Sequence, residues 1–293
     1  MHSSKLPSFF FTPLRRFVRY IANMVFPILL QHKSMRRPPL LQTSVIVSLT
    51  SFPLRIGDVW QVIELMKRQT YKPRKVILWL SKEQFPDVGK LPLSLLRQQD
   101  DVFSIRFMDG DIRSHKKYYY VSQEYPDSDI LLVDDDIYYP TDMLERLYKA
   151  KQQSESDRLI CQYGYIIGYD DKGQILPYRQ WKSVTADSDD EKLFFGSGGG
   201  TLFKPKKMYK DLLDKNLFLQ LTPIADDIWL NTMAKLAEYP IIMLKPNLPL
   251  PIKSKKGNIS LYKENVGNNK NDDQIKKIID FYLKDLGVDP FHL

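Results

Sequence analysis

An α/β fold built on a parallel sheet is predicted by three features of this 293-residue chain. Short apolar runs recur at residues 44–49, 75–80, 103–107 and 130–133; runs of this length and composition read as strands buried on both faces. Stretches of helical periodicity lie between them, joined by short connections, which is the strand–helix–strand pattern of a sheet with helices on both sides. Each run also ends in polar residues, as expected where loops converge on a ligand at the carboxyl edge of such a sheet.

The elements follow in order after Pro38-Pro39. The first strand, 44–49, leads into Thr50-Ser51-Phe52-Pro53-Leu54-Arg55, a loop with hydroxyls and one arginine. A helix is expected over 58–69, with Val59, Val62, Ile63 and Met66 on one face. The second strand, 75–80, ends at Ser81-Lys82, and a helix near 94–99 leads to the third, 103–107, which stops at Asp109-Gly110-Asp111. Residues 114–124 read as a helix with Lys116 and Lys117 in its first turn. The fourth strand runs straight into Asp134-Asp135-Asp136, and a helix is expected from near Thr141.

Beyond residue 158 the texture changes. Residues 159–165 read as one strand, and 169–192 are polar and aperiodic apart from Tyr178 and Trp181. Gly198, Gly199 and Gly200 contribute no packing and lose backbone entropy on folding, so they mark a loop that something must approach closely. A helix opens at Asp226-Asp227 and runs to about 237, a strand follows at 241–244, and an amphipathic helix closes the chain over 274–286. The organisation expected is an N-terminal arm over 1–42, a main domain over 43–257, and a C-terminal flap and helix over 258–293, the flap being the asparagine- and lysine-rich stretch 260–273.

The net charge of +8 is unevenly placed. Residues 1–42 hold Lys5, Arg15, Arg16, Arg19, Lys33, Arg36 and Arg37 and no acid, leaving 36 basic and 35 acidic residues for the rest. The folded body is therefore near neutral, which argues against nucleic acid as a partner. The arm's uncharged run, 20–31, is too short to span a bilayer and contains Pro27, and no small-residue cleavage site follows it. Basic and aromatic-rich, it suits the headgroup region of an anionic leaflet, packing on the protein's own body, or a free tail. The single cysteine, Cys161, excludes an internal disulfide, suits a reducing compartment and reads as a small core residue. The localisation expected is cytoplasmic, with the arm against the inner face of the membrane.

The triple aspartate carries the chemistry. Three adjacent acids at a strand's end repel one another unless a cation joins them, and Mg²⁺ or Mn²⁺ is the simplest candidate. Strand alternation would point Asp134 and Asp136 to one face, roughly 6.6 Å apart if extended, and Asp135 to the other unless the chain turns there. No GxxxxGKS or GxGxxG turn is present, so phosphate handling falls to a metal and side chains.

Leu49-Thr50-Ser51-Phe52-Pro53, Leu80-Ser81-Lys82, Arg113-Ser114-His115-Lys116-Lys117-Tyr118-Tyr119, Val133-Asp134-Asp135-Asp136 and Ala225-Asp226-Asp227-Ile228-Trp229 stand in an order that resembles the GT-A-fold nucleotide-sugar glycosyltransferases. The likeness is greatest to bacterial family-2-like enzymes of surface polysaccharide synthesis, and it covers residues 43–245. It implies a Rossmann-like, mostly parallel sheet with a smaller antiparallel part on the acceptor side. It also implies a nucleoside-diphosphate sugar as donor and a glycan or lipid-linked glycan as acceptor. By the same resemblance Asp136, with Asp134, holds the metal, and Asp134 and Asp135 contact ribose and sugar hydroxyls. Thr50, Ser51, Arg55 and Ser81 line the nucleoside pocket, and Arg113 or Lys117 supplies a cation near the diphosphate. Asp227, with Asp226 as second choice, is the base of an inverting transfer. Tyr178 and Trp181 are either sugar platforms or core. The QxxRW motif of processive synthases is absent, which suits single addition.

Two rivals remain on the sequence. A sugar nucleotidyltransferase normally carries a glycine-rich basic loop after its first strand, and residues 50–55 contain no glycine. A non-catalytic sugar- or membrane-binding protein has no need of acids at both 134–136 and 226–227.

Overall fold

The computed structural model describes residues 8–245, 250–253 and 269–292. The helices are α1 (Ser8–Gln31), α2 (Trp60–Lys67), α3 (Leu93–Leu96), α4 (Lys116–Glu124), α5 (Met143–Gln153), α6 (Lys215–Leu221), α7 (Asp226–Leu236) and α8 (Lys270–Leu286). The strands are β1 (Leu41–Gln42), β2 (Ile46–Thr50), β3 (Tyr71–Lys72), β4 (Lys75–Ser81), β5 (Phe103–Met108), β6 (Ile130–Val133), β7 (Ile137–Tyr138), β8 (Leu159–Cys161), β9 (Gly164–Ile166), β10 (Lys182–Ser183), β11 (Leu193–Phe195), β12 (Gly199–Phe203), β13 (Ile241–Met243) and β14 (Leu250–Pro251).

Seven strands form the central sheet in the order β13-β8-β12-β6-β2-β4-β5. Neighbouring pairs are parallel except where β12 runs antiparallel between β6 and β8. This is the mostly parallel α/β fold expected, and β10-β9-β11 supplies a small antiparallel sheet beside it. The reversed β12 matters for the site: its first residue, Gly199, pairs with Val133, so the glycine segment arrives where β6 releases the aspartates.

Three of the four expected parallel strands form because Ile46, Val47, Leu49, Val76, Ile77, Leu78, Ile130, Leu131, Leu132 and Val133 are all fully buried, alternating between two cores on opposite faces of the sheet, whereas β5, at the sheet's edge, is half-buried beyond Phe103. Val59, Val62, Ile63 and Met66 are buried as the helical spacing requires. Cys161 is a buried core thiol whose acidity burial suppresses.

One expectation needs correction, and one lies mostly outside the described residues. Residues 159–165 are not one strand: β8 belongs to the central sheet, and β9 pairs with β11 and β10. The chain crosses between sheets at Gly164, where a Cβ would sit 2.3 Å from the Phe194 carbonyl oxygen; only glycine lets the β11 backbone approach that closely. The expected flap at 260–273 falls outside the described residues as far as 268, and its last residues open α8. Ile275, Ile278 and Tyr282 bury α8 in the same core as α7.

α1 packs on the body through one face. Ala22 and Leu30 are buried, Phe26 meets Tyr138 edge-on at 4.8 Å, and Asn23 donates to the Pro251 carbonyl at 3.1 Å. Among the described residues no helix is long and apolar enough to cross a membrane.

Candidate functional site

A cavity of about 580 Å³ opens at the carboxyl edge of the sheet, lined from the β2 loop, the start of α4, the aspartates after β6 and the start of α7. It gathers Thr50, Ser51, Arg55, Arg113, Lys117, Asp134, Asp135, Asp136, Asp226 and Asp227. A second cavity of about 310 Å³ lies alongside, and Asp134, Asp136 and Asp227 line both.

The aspartates find their cations within the chain. Arg55 donates to Asp135 Oδ1 at 3.0 Å and pairs with Asp136 Oδ2 at 2.9 Å, while the Ser51 hydroxyl donates to Asp135 Oδ2 at 2.5 Å. Asp134 turns instead to Lys117, whose Nζ lies 2.7 Å from Oδ1. The alternation argument therefore fails for Asp135, which lines the cavity with its neighbours. Its physical reason is local: the chain leaves extended geometry after Val133 and turns at Asp135-Asp136 before β7, so period-two alternation no longer applies. Burial raises the pKa of Asp136 to about 7, with the charges of Asp135 and Asp134 adding to it. Burial also raises that of Asp135, against Arg55.

Asp134 is seated by a glycine. A Cβ on Gly198 would lie 1.9 Å from the Asp134 carboxyl carbon, and the Asp134 N–H donates to the Tyr139 hydroxyl at 2.8 Å. The close approach expected at the glycine segment is made by the protein's own aspartate.

Lys117 joins the two acidic groups. Its Nζ also donates to the Ser197 hydroxyl at 3.0 Å and lies 3.1 Å from Asp226 Oδ2. Burial works against its charge, but Asp134, Asp226 and Asp227 outweigh it and hold the ammonium protonated well above its ordinary range. Ser197 in turn donates through Oγ to Asp226 at 2.7 Å and through its backbone N–H to Asp227 Oδ1 at 2.9 Å. α7 is held in register by Asn231, which exchanges two hydrogen bonds with the Phe195 backbone at 3.0 and 2.8 Å.

The adjacent acids of α7 are driven apart. Burial opposes ionisation of both. At Asp226, Lys117 and His115 prevail and bring the value down to about 2. At Asp227, burial and the Asp226 charge push it up to about 6. A pair split in this way contains one fixed anion and one group able to exchange a proton near neutrality. His115 takes no such role: it is buried, stacked on Phe218 at 4.4 Å, bonded to the Thr222 carbonyl at 2.7 Å, and lowered to about 4 by burial.

Of the residues expected at the nucleoside pocket and the acidic site, Ser81 does not line the cavity. Ser81 is buried outside the cavity, its hydroxyl accepting from the Glu83 N–H at 3.2 Å in the turn after β4; Gln84 lines the cavity instead. Thr50 lines it, but its hydroxyl donates to the Trp79 carbonyl at 2.8 Å. Trp181 is a core residue against Phe194, whereas Tyr178 faces the cavity. Arg113 lines the cavity with φ at 53°, a conformation that costs energy for a bulky side chain and clusters at functional sites.

Sequence reasoning missed Ser197, Gln84 and Asn271. Ser197 is hidden within a glycine run, and Asn271 reaches the cavity from α8, far along the chain. Among the described residues, the buried atoms Gln84 Oε1 and Asn271 Oδ1, both on cavity-lining residues, have no hydrogen-bond partner, which leaves them open to a polar ligand or water.

Among the described residues, no three or more His, Cys, Asp or Glu converge as a metal cage, and Asp134 is turned toward Lys117. The donor set nevertheless suits a hard cation. Asp136 is an oxygen donor crowded by two other carboxylates, and Mg²⁺ and Mn²⁺ are commonly held by one or two carboxylates completed by phosphate oxygens and water.

No family model matches the sequence, and no curated protein does. Among solved structures, the Pyrobaculum calidifontis mannosyltransferase in complex with GDP-Man and Mn²⁺ is similar at 10% identity and TM-score 0.46, over 92% of this chain and 74% of that one. The Francisella tularensis 2-C-methyl-D-erythritol 4-phosphate cytidylyltransferase is similar at 14% and 0.43, over 77% and 98%. The Anaerococcus prevotii 4-diphosphocytidyl-2C-methyl-D-erythritol synthase is similar at 12% and 0.44, over 82% and 98%. Likenesses this distant bear on no residue's role.

Proposed function

We propose that this chain is a divalent-metal-dependent glycosyltransferase, moving a sugar with inversion from a nucleoside-diphosphate sugar to a hydroxyl of a glycan or lipid-linked glycan in surface polysaccharide synthesis. The observation that carries the reading is Asp227: an acid raised to about 6, standing where two cavities meet and opposite the triple aspartate. The donor takes the larger cavity and the acceptor the smaller. The acceptor oxygen forms a bond to the anomeric carbon as the bond to the diphosphate breaks, and Asp227 Oδ2 takes the hydroxyl proton. Asp226 stays ionised beside Lys117 and keeps that ammonium charged. Arg113 and Lys117 face the diphosphate. Asp136, with Asp134 in reach, would hold Mn²⁺ or Mg²⁺, whose contribution when bound is to neutralise the departing diphosphate.

Incubation of UDP- and GDP-sugars with the protein and Mn²⁺ tests this reading. Metal-dependent release of nucleoside diphosphate is expected, with loss in Asp136→Ala. Release of pyrophosphate from a nucleoside triphosphate and a sugar 1-phosphate would make it a nucleotidyltransferase. Donor binding without turnover would make it a binding protein.

A further inference from the structure

α1 packs on the body with one face only. Phe17, Ile21, Met24 and Ile28 form a single helical stripe and are 62, 41, 54 and 61% exposed, flanked by exposed Val18, Tyr20, Val25 and Leu29. Scattered exposed apolar residues are ordinary, but a continuous stripe of this kind is an interaction surface. Its surroundings are basic: Arg16, Arg19 and Arg37 are exposed, and residues 1–42 contain no acid.

The helix is also rigidly held. Arg68 donates to the carbonyls of Leu29, Leu30 and His32 at 3.3, 3.2 and 3.0 Å, closing the helix's C-terminal end. Arg36 pairs with buried Glu64 at 2.5 Å, and Asn23 exchanges bonds with Pro251 and Lys253. The seat has a position in the fold that matters. Tyr138, which packs against Phe26, and Pro251, which binds Asn23, both line the smaller cavity.

We infer that the outer face of α1 docks on an anionic lipid bilayer and holds the mouth of the smaller cavity beside it. An exposed apolar stripe in a segment that carries cations and no acid fits the boundary between acyl chains and acidic headgroups. A second copy of this chain fits less well, because the two faces would meet cation to cation with no acid in the segment. The surface rests on the transferase reading only for its consequence: a bilayer-side acceptor cavity favours acceptors carried on lipid.

The test uses the whole chain and phosphatidylcholine vesicles with or without phosphatidylglycerol. Sedimentation with the anionic vesicles is expected, and it should fall roughly tenfold in Ile21→Ser/Met24→Ser/Ile28→Ser and with added salt. These residues lie outside the site, so donor turnover without vesicles should be unchanged, which separates failure of this inference from failure of the transferase reading. A bimane placed by Lys253→Cys, with native Cys161 buried, should be quenched by brominated lipid. Absence of sedimentation, equal sedimentation of the triple variant, or an unquenched label on bound protein would overturn the inference. So would a dimer that the triple variant abolishes while vesicles bind neither form.

Discussion

The backbone N–H of Ser197 donates to Asp227 Oδ1 at 2.9 Å, so the strand-side glycine segment directly fixes the acid that opens α7. One peptide group thereby ties the position of the proposed base to that of Asp134, which packs against Gly198, the next residue. The two acidic clusters behave as a unit although 89 residues of chain lie between them.

Asp227→Asn should remove the base without removing its hydrogen bond. Turnover is expected to fall by roughly 10²–10⁴-fold, the ordinary range for a general base, with donor affinity little changed by thermal shift. In the unaltered protein kcat/KM should rise with pH through about 6, because only the ionised carboxylate accepts a proton and burial beside Asp226 sets its value there. Asp226→Asn removes the neighbouring charge that raises Asp227, so this limb should move to lower pH. A limb that stays in place would detach it from Asp227.

Lys117→Met should destabilise the fold by about 3 kcal/mol in denaturant titration, the low end for a broken buried pair because Asp134 is partly exposed. The sign with pH follows from Asp226. Its value is depressed to about 2, so its stabilisation is complete above an unfolded value of about 4 and disappears as pH falls through about 2. The variant should lose much of that acid dependence.

Gly198→Ala tests the seating of Asp134. The added methyl would occupy the carboxylate's place, so Asp134 must leave Lys117. A displacement on the order of 1 Å at a reacting centre is worth roughly 10²-fold in rate, and that loss is expected in turnover. Gly57→Ala, with nothing within 4 Å of the new atom, is the control and should be neutral.

What was legible in the chain follows from how local each cause is. β2, β4 and β6 announce themselves because burial on both faces demands apolar runs, and the acids after β6 are conspicuous by contrast. Asp135 stayed open because alternation holds only while the backbone stays extended, and residue type alone does not say whether the chain turns after Val133. Ser81 was misplaced because its hydroxyl serves the turn after β4, a local bond that a strand-end argument overlooks. Ser197 and Asn271 were invisible for another reason. Their roles depend on β12 running antiparallel beside β6 and on α8 returning to the cavity, which are long-range placements.

Asn271 offers the last test. Among the described residues its Oδ1 is buried without a partner at the cavity wall, an arrangement that costs folding about 1–3 kcal/mol relative to a satisfied group. If that oxygen is kept for a ligand, stability and binding should respond in opposite directions. Asn271→Leu should leave the melting temperature of the free protein equal or higher, because an unsatisfied acceptor is replaced by apolar surface. The stabilisation conferred by a nucleoside-diphosphate sugar with Mn²⁺ should shrink, since ligand-induced stability follows affinity by mass action. A variant that loses stability and keeps its full ligand shift would show that Asn271 supports the fold and does not read the ligand.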